Sequence, residues 1–239
     1  MDCSFTLKHY REILELALSR GYKFLGFHEQ YCSKNQKIIY LRHDIDVCVE
    51  EGINMAALES EIGINSTYLI LINSPVYNPL SADCLDLISY IQEKGHWVGL
   101  HIDPLLINRG NVEDIEDQIN YLFEFFAKKL KLVPVISFHR PIPEVIGKSF
   151  NRFINTYSPH FFKDIIYISD SRGMWRDDCP CKFLYCEAYN SMQILIHPIW
   201  WKENNVMSVK EKLFYLIEER CKKNKSYLAN NIKPFSNFL

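Results

Sequence analysis

Two carboxylates separated by a single residue, Asp44 and Asp46, close the stretch LRHDID. On an extended strand residues two apart point to the same side. Two acids held that way repel, and one resists ionising unless a cation sits between or beside them. His101 and Asp103 repeat the spacing in GLHID. Imidazole together with carboxylate suits zinc first, or another first-row divalent ion, with one position left for water. Water on such an ion ionises near neutral pH and becomes a nucleophile. The chemistry this pattern points to is hydrolysis of an amide or ester.

The elements that must position these residues follow from periodicity. Leu7, Tyr10, Leu14, Ala17 and Leu18 have helical spacing over residues 6–21, with Gly21 as a stop. After it, apolar runs alternate with amphipathic stretches. KIIYLRH, NSTYLILI, WVGLHI, VPVISFH, DIIYIS and MQILIHPIW are expected as strands. VEEGINMAALESEIG, SADCLDLISYIQEKG (capped by Ser81), VEDIEDQINYLFEFFAKKLK and VKEKLFYLIEERCKK are expected as helices. Nearly continuous apolar strands separated by helices indicate a parallel sheet covered on both faces. A barrel and an open doubly wound sheet both satisfy that pattern. No linker or repeat divides the chain, so one domain over 1–239 is expected, with 1–36 as a helical extension packed on it.

The polar residues collect at the ends of these strands. They are His43, Asp44 and Asp46; His101 and Asp103; Ser137, His139 and Arg140; Ser169, Asp170 and Ser171; and His197. In parallel α/β folds the carboxyl ends of the strands share one face, and that face carries the active site. An Asp after a strand is by itself more often a cap or turn residue, and Arg42 beside Asp44 reads as an ordinary ion pair. Recurrence on five strands is what the ordinary readings do not explain. His9, His28 and His160 fall in helical or irregular segments and are assigned no role.

Composition narrows the class. The 239 residues are 48% hydrophobic and 14% aromatic, enough for a large core, and the net charge is -2 without a long basic run. Nucleic-acid binding through a phosphate-neutralising surface has no support. No stretch reaches the roughly 18–20 apolar residues of a membrane span, and the N-terminus lacks a signal-peptide pattern. The expectation is a cytoplasmic protein. The eight cysteines are then expected as reduced thiols. Cys179 and Cys181 in CPCKFLYC are only one residue apart and no second pair follows, which argues against a cysteine–zinc module.

From Ile38 to Trp201 the motifs resemble, in order, those of the polysaccharide deacetylases, the NodB-like superfamily or carbohydrate esterase family 4. LRHDID resembles the first motif, GHWVGLHID the histidine motif, SFHRP the arginine–proline motif, YISDSRGMW the aspartate–tryptophan motif, and LIHP the closing leucine–x–histidine motif. More narrowly, RHDID, STYLILINSPVYNPLS, GLHID, SFHRP and LIHPIWW are similar to deacetylase-like proteins of O-antigen and capsule biosynthesis. The fold implied is a distorted parallel (β/α) barrel with fewer than eight strands. Two departures stand out: Ile45 separates aspartates that the family keeps adjacent, and Leu105 stands where a second metal-binding histidine is usual.

The resemblance implies a metal-dependent hydrolase that removes an acetyl group from a sugar, sugar nucleotide or lipid-linked glycan. Asp46 and His101 would hold the metal, with His139 or Asp103 as the third ligand; His139 is favoured because it adds no charge. Asp44 would take the proton from the attacking water, and Arg140 would tune that base. Asp170 would support the arrangement, and protonated His197 would donate to the leaving amine. Asp103, Trp175 and Trp200 are substrate-side candidates, the tryptophans equally readable as packing. Two rival functions remain: a non-catalytic glycan-binding or assembly protein, and a metal hydrolase of a non-sugar amide or ester.

Overall fold

The structure, a computed structural model, describes residues 3–29, 36–108, 110–203 and 207–233. The parts of the expected extension at 1–2 and 30–35 lie outside the described residues. The strands are β1 (Lys23–Phe24), β2 (Ile38–Ile45), β3 (Thr67–Leu71), β4 (Trp97–Ile102), β5 (Leu132–Phe138), β6 (Ile154–Asn155), β7 (Ile166–Ser169) and β8 (Ser191–Ile196). Seven of them run in the order β6-β5-β4-β3-β2-β8-β7, and every paired neighbour is parallel. β1 pairs beside the first two residues of β2, below the point where β3 begins to pair. The wall starts at β6 and stops at β7, so the fold is an open, distorted (β/α) barrel. The two shortest strands, β1 and β6, were not expected, because two-residue pairings leave no periodicity to read.

The helices are α1 (Leu7–Ser19), α2 (Glu50–Glu61), α3 (Ala82–Glu93), α4 (Val112–Ala127), α5 (Pro159–Phe162), α6 (Pro180–Cys186) and α7 (Val209–Asn231). Ser81 Oγ accepts from the Cys84 amide to start α3, as its sequence indicates, and Asn111 with Asp114 forms a reciprocal cap on α4. None of the described helices is long and apolar enough to cross a membrane.

Alternation along β2 sorts the core into layers. Ile39 and Leu41 point outward and pack with Tyr10, Ile13 and Leu14 of α1 and with Leu184 of α6. Ile45 points outward into a second layer with Ala56, Ile88, Ile91, Ile115 and Ile119 from α2, α3 and α4. Ile38 and Tyr40 point inward, where Leu69, Val135, Phe27 and Phe161 fill the barrel. Above this apolar plug the interior turns polar. Gln193 of β8 donates to the carbonyls of Thr156 (3.1 Å) and Phe161 (2.7 Å), joining the β8 side of the wall to the chain beyond β6.

Between the sheet and the helices lies one buried polar group. Glu59 of α2 accepts from Ser66 Oγ at 2.5 Å, from Tyr68 Oη at 3.2 Å and from Tyr10 Oη, and its Oε1 lies 2.7 Å from His43 Nε2. Burial opposes its charge, but the imidazoles of His43 and His96 and the Ser66 hydroxyl hold its carboxyl below the usual range. The network joins α1, α2, β2 and β3, and it fixes which face of β2 is the outer one.

β4 approaches β5 closely at Gly99, where the pairing register slips between Val98 and Leu100. A β-carbon at Gly99 would lie 2.3 Å from the Val135 carbonyl oxygen and 2.8 Å from Leu69 Cδ2. Gly99→Ala is therefore expected to cost about 2 kcal/mol, a fall in Tm of roughly 4–8 °C for a chain of this size. Thermal melts read by circular dichroism check it, and an unchanged Tm would show that β5 does not hold that position.

Candidate metal and catalytic site

β2 delivers the two acids. Asp44 is its last inward residue and Asp46 follows one step beyond its end, so both turn to the interior while Ile45 between them enters the outer core. The loop after β3 fastens this end: Tyr77 Oη donates to the Ile45 carbonyl at 2.6 Å and Ser74 Oγ to that of Asp46 at 2.9 Å. Ile45 therefore keeps the acids on one face.

β4 contributes His101, and the step after β5 contributes His139, whose amide donates to the Ile102 carbonyl at 2.9 Å. His101 Nε2 lies 3.2 Å and His139 Nδ1 3.4 Å from Asp46 Oδ1. The three atoms fall within 4.8 Å of one another, and Asp46 Oδ1 is buried with no directed hydrogen bond. Two imidazole nitrogens and one carboxylate oxygen converging on a common point are a donor set that fits zinc or a similar divalent ion. Burial by itself would push the Asp46 carboxyl up, but His101, His139 and His197 outweigh it and hold it well below the ordinary range. Asp46 in turn raises His139.

Asp103 is engaged elsewhere. Its Oδ1 accepts from the Leu105 amide at 3.0 Å, and its Oδ2 from Arg140 at 3.1 Å. Leu105 itself is 86% exposed, in the short turn of Pro104–Leu106. Arg140 sits with φ at 51°, a left-handed conformation uncommon for a bulky side chain.

That pairing corrects the sequence reading of Arg140 as the group that tunes Asp44. The arginine in contact with Asp44 is Arg42, fully buried on the same inward face of β2, with Nη2 3.4 Å from Asp44 Oδ2. Arg42 also donates to Thr156 Oγ1 and, at 3.0 Å, to Tyr157 Oη, and it lies over the rings of Tyr157 and Tyr167 at 4.8 and 5.9 Å. The spacing Arg42–Asp44–Asp46 was the available signal, since all three alternate onto one side. What hid it was burial, which sequence does not show. His43, counted among the rim groups, faces the other way and belongs to the Glu59 network.

His197 follows β8. Its Nδ1 lies 2.6 Å from Asp170 Oδ1, its amide donates to both Asp170 oxygens at 3.0 Å, and its Nε2 points to Asp46 Oδ2 at 3.7 Å. Asp170, fully buried past the end of β7, also accepts from Trp201 Nε1 at 2.8 Å. Burial works against a charge on His197, but the Asp170 carboxylate, with Asp46 and Asp44 beyond it, raises it from 6.5 to about 9. Trp175 stacks on Phe5 at 5.6 Å and meets Trp201 at 5.9 Å, and Trp200 lies against Gly173. Both rings are half-buried in the layer shared with α1 and α6. These contacts are those of packing groups.

No protein-family model and no curated protein sequence matches the chain. Solved structures do. A CE4 family pseudoenzyme from Bacillus anthracis aligns at 12% identity over 80% of this chain, with a TM-score of 0.45, and the chain spans 63% of its length. The chitin deacetylase of the fungal pathogen Colletotrichum lindemuthianum aligns at 14% identity over 78% of this chain and 84% of its own, TM-score 0.42. A Streptococcus mutans CE4 esterase aligns at 13% identity over 82% and 84%, TM-score 0.46. Likeness this remote says nothing about the chemistry of the present site.

Two outcomes follow from the geometry. Arg42→Met leaves Asp44 without its buried cation and is expected to cost about 3–5 kcal/mol in denaturant melts; a loss below 1 kcal/mol would mean that the pair is solvated. In the metal-free protein the His197–Asp170 pair raises the histidine in the folded state, so its contribution to stability is complete below pH 6.5 and is lost as pH rises through about 9. Asp170→Asn is expected to bring the His197 titration, followed by NMR, down toward 6.5; an unmoved midpoint would assign the shift elsewhere.

Proposed function

We propose that the chain is a metal-dependent hydrolase of the polysaccharide-deacetylase type, removing an N-acetyl or similar acyl group from a sugar or glycan. The observation that carries this reading is the convergence of Asp46 Oδ1, His101 Nε2 and His139 Nδ1, with Asp44 on one side of them and His197 on the other. Support also comes from the order of the five sequence motifs.

Asp46, His101 and His139 would hold the ion. When bound, a divalent ion there supplies Lewis acidity, lowering the pKa of a water ligand and polarising the acyl oxygen. Asp44 is placed for the base: Oδ2 faces Arg42 and lies 3.7 Å from His101 Nε2, while Oδ1 has no hydrogen-bond partner among the described residues. Asp44 takes the proton of the attacking water. Arg42 acts as a positioning residue, fixing the carboxylate that must accept it. His197 carries the opposite task, since a histidine raised to about 9 is protonated at neutral pH and can donate through Nε2 to the departing amine. Asp170 holds Nδ1 of that ring and keeps Nε2 turned to the site. A base and an acid whose environments drive them apart are what amide hydrolysis needs.

The finer reading is a role in building surface polysaccharide, on an acetylated sugar, sugar nucleotide or lipid-linked glycan, with zinc as the metal and the cytoplasm as the place. Its support is the resemblance of RHDID, GLHID, SFHRP and LIHPIWW to the deacetylase-like proteins of O-antigen and capsule biosynthesis.

Acetate released from a panel of N-acetylated sugars, sugar nucleotides and oligosaccharides by zinc-loaded protein is the direct test. Turnover is expected, with Asp44→Asn lowering kcat by roughly 10²–10⁴-fold while metal content is retained. Saccharide binding without turnover would favour the non-catalytic reading, and turnover confined to non-sugar esters or amides would move the substrate class. Full activity in Asp44→Asn would overturn the assigned base.

A further inference from the structure

A second cluster of metal-binding side chains lies in the layer beneath α1. Cys3, His9, Cys179 and Cys181 each turn one ligand atom to a common point, and all four atoms fall within 4.8 Å of one another. Cys3 Sγ is 3.6 Å from Cys181 Sγ, Cys181 Sγ is 3.2 Å from Cys179 Sγ, and His9 Nε2 is 3.3 Å from Cys179 Sγ. We propose that these four residues form a structural zinc site that clamps the N-terminal segment and α1 to α6.

Three sulfurs and one imidazole nitrogen make a complete Cys₃His set, the closed tetrahedral arrangement of structural zinc, with no position left for substrate. Zinc–sulfur bonds of about 2.3 Å and a zinc–nitrogen bond of about 2.0 Å put tetrahedral sulfur neighbours about 3.8 Å apart and sulfur–nitrogen neighbours about 3.5 Å apart. The observed separations lie within a few tenths of an ångström of these. Thiolates select zinc over magnesium, calcium and manganese. The imidazole is also braced from behind, because His9 Nδ1 lies 3.2 Å from Glu12 Oε2. A carboxylate behind a ligating histidine is the usual device for fixing its tautomer and orientation. None of the four thiols and rings takes part in the hydrolytic site, and His9, Cys179 and Cys181 are buried.

The backbone prepares the site from two distant parts of the chain. Cys179 caps α6, Pro180 starts the helix, and Cys181 sits in its first turn. His9 lies in the first turn of α1, whose N-cap Thr6 pairs with Lys202 in a β-bridge. The sequence spacing of Cys179 and Cys181 argued against zinc because the second pair of ligands was sought nearby; it stands some 170 residues upstream. Between the clamp and the hydrolytic site lie Phe5, Trp175 and Trp201, and Trp201 holds Asp170. Binding converts the thiols to thiolates and releases their protons to solvent.

Cobalt titration of the full chain tests the proposal, because sulfur ligation produces an intense thiolate-to-cobalt charge-transfer absorption that the Asp46, His101 and His139 site cannot produce. One cobalt equivalent with that absorption is expected, displaced by zinc, and retained when Asp46→Ala and His101→Ala remove ligands of the other site. Glu12→Gln, outside the ligand set, is expected to keep the absorption and weaken zinc binding roughly tenfold. Cys181→Ser is expected to abolish the tetrahedral spectrum. A full chain that binds cobalt without the sulfur band, or a Cys181→Ser chain that keeps it unchanged, would overturn the clamp. Loss of metal through the proposed catalytic ligands alone leaves this site intact, so the two assignments fail separately.

Discussion

The structure turns on the buried guanidinium of Arg42. A cation inside a barrel is costly unless its neighbours replace the water it has lost. Here the replacement comes from the Asp44 carboxylate, the Thr156 and Tyr157 hydroxyls and the faces of two tyrosines. Those groups belong to β2, to the chain beyond β6 and to β7, which are the middle and the two ends of an open wall. Closing the barrel and placing the catalytic acid are thus satisfied by one side chain.

The same strand shows how strict alternation divides the labour. Arg42, Asp44 and Asp46 face inward to chemistry, while His43 and Ile45 face outward to structure, one in the Glu59 network and one in the apolar core. A register slip of one residue would exchange the two sets. Glu59, tied to His43, Ser66, Tyr68 and Tyr10, makes that slip costly, because it would leave a buried carboxylate unsatisfied. The inserted Ile45 between the acids follows from the same rule: an outward apolar residue is what lets two inward carboxylates share an extended strand.

Local cost gathers at the rim. Arg140 and Arg172 adopt left-handed backbone angles of 51° and 65°, and the Asp44, Asp46 and His101 side chains each leave one buried polar atom without a partner. Such departures from local preference concentrate where function is built. The turn at Arg140 brings its side chain back to Asp103, which removes Asp103 from the metal donors and leaves that role to His139. The rest of the frame is ordinary, with apolar inner and outer layers and capped helices.

Much of this was legible in sequence where a signal repeats. Parallel strands, helices, the Ser81 cap and the strand-end placement of Asp44, Asp46, His101, His139, Asp170 and His197 follow from periods of 2 and 3.6 and from the habit of parallel folds to gather polar ends on one face. Two-residue strands carry no such period, so β1 and β6 were not visible. Partner choice was not visible either. That Asp44 meets Arg42 rather than Arg140, that Asp103 is spent on Arg140, that Trp175 and Trp200 pack inward, and that Cys3 and His9 meet Cys179 and Cys181 are decided by which surfaces are buried together. Sequence determines what each residue can do and which way it points along its own strand or helix. Only the closed tertiary structure decides which distant group it faces, because that depends on excluded water and on contacts made across the barrel.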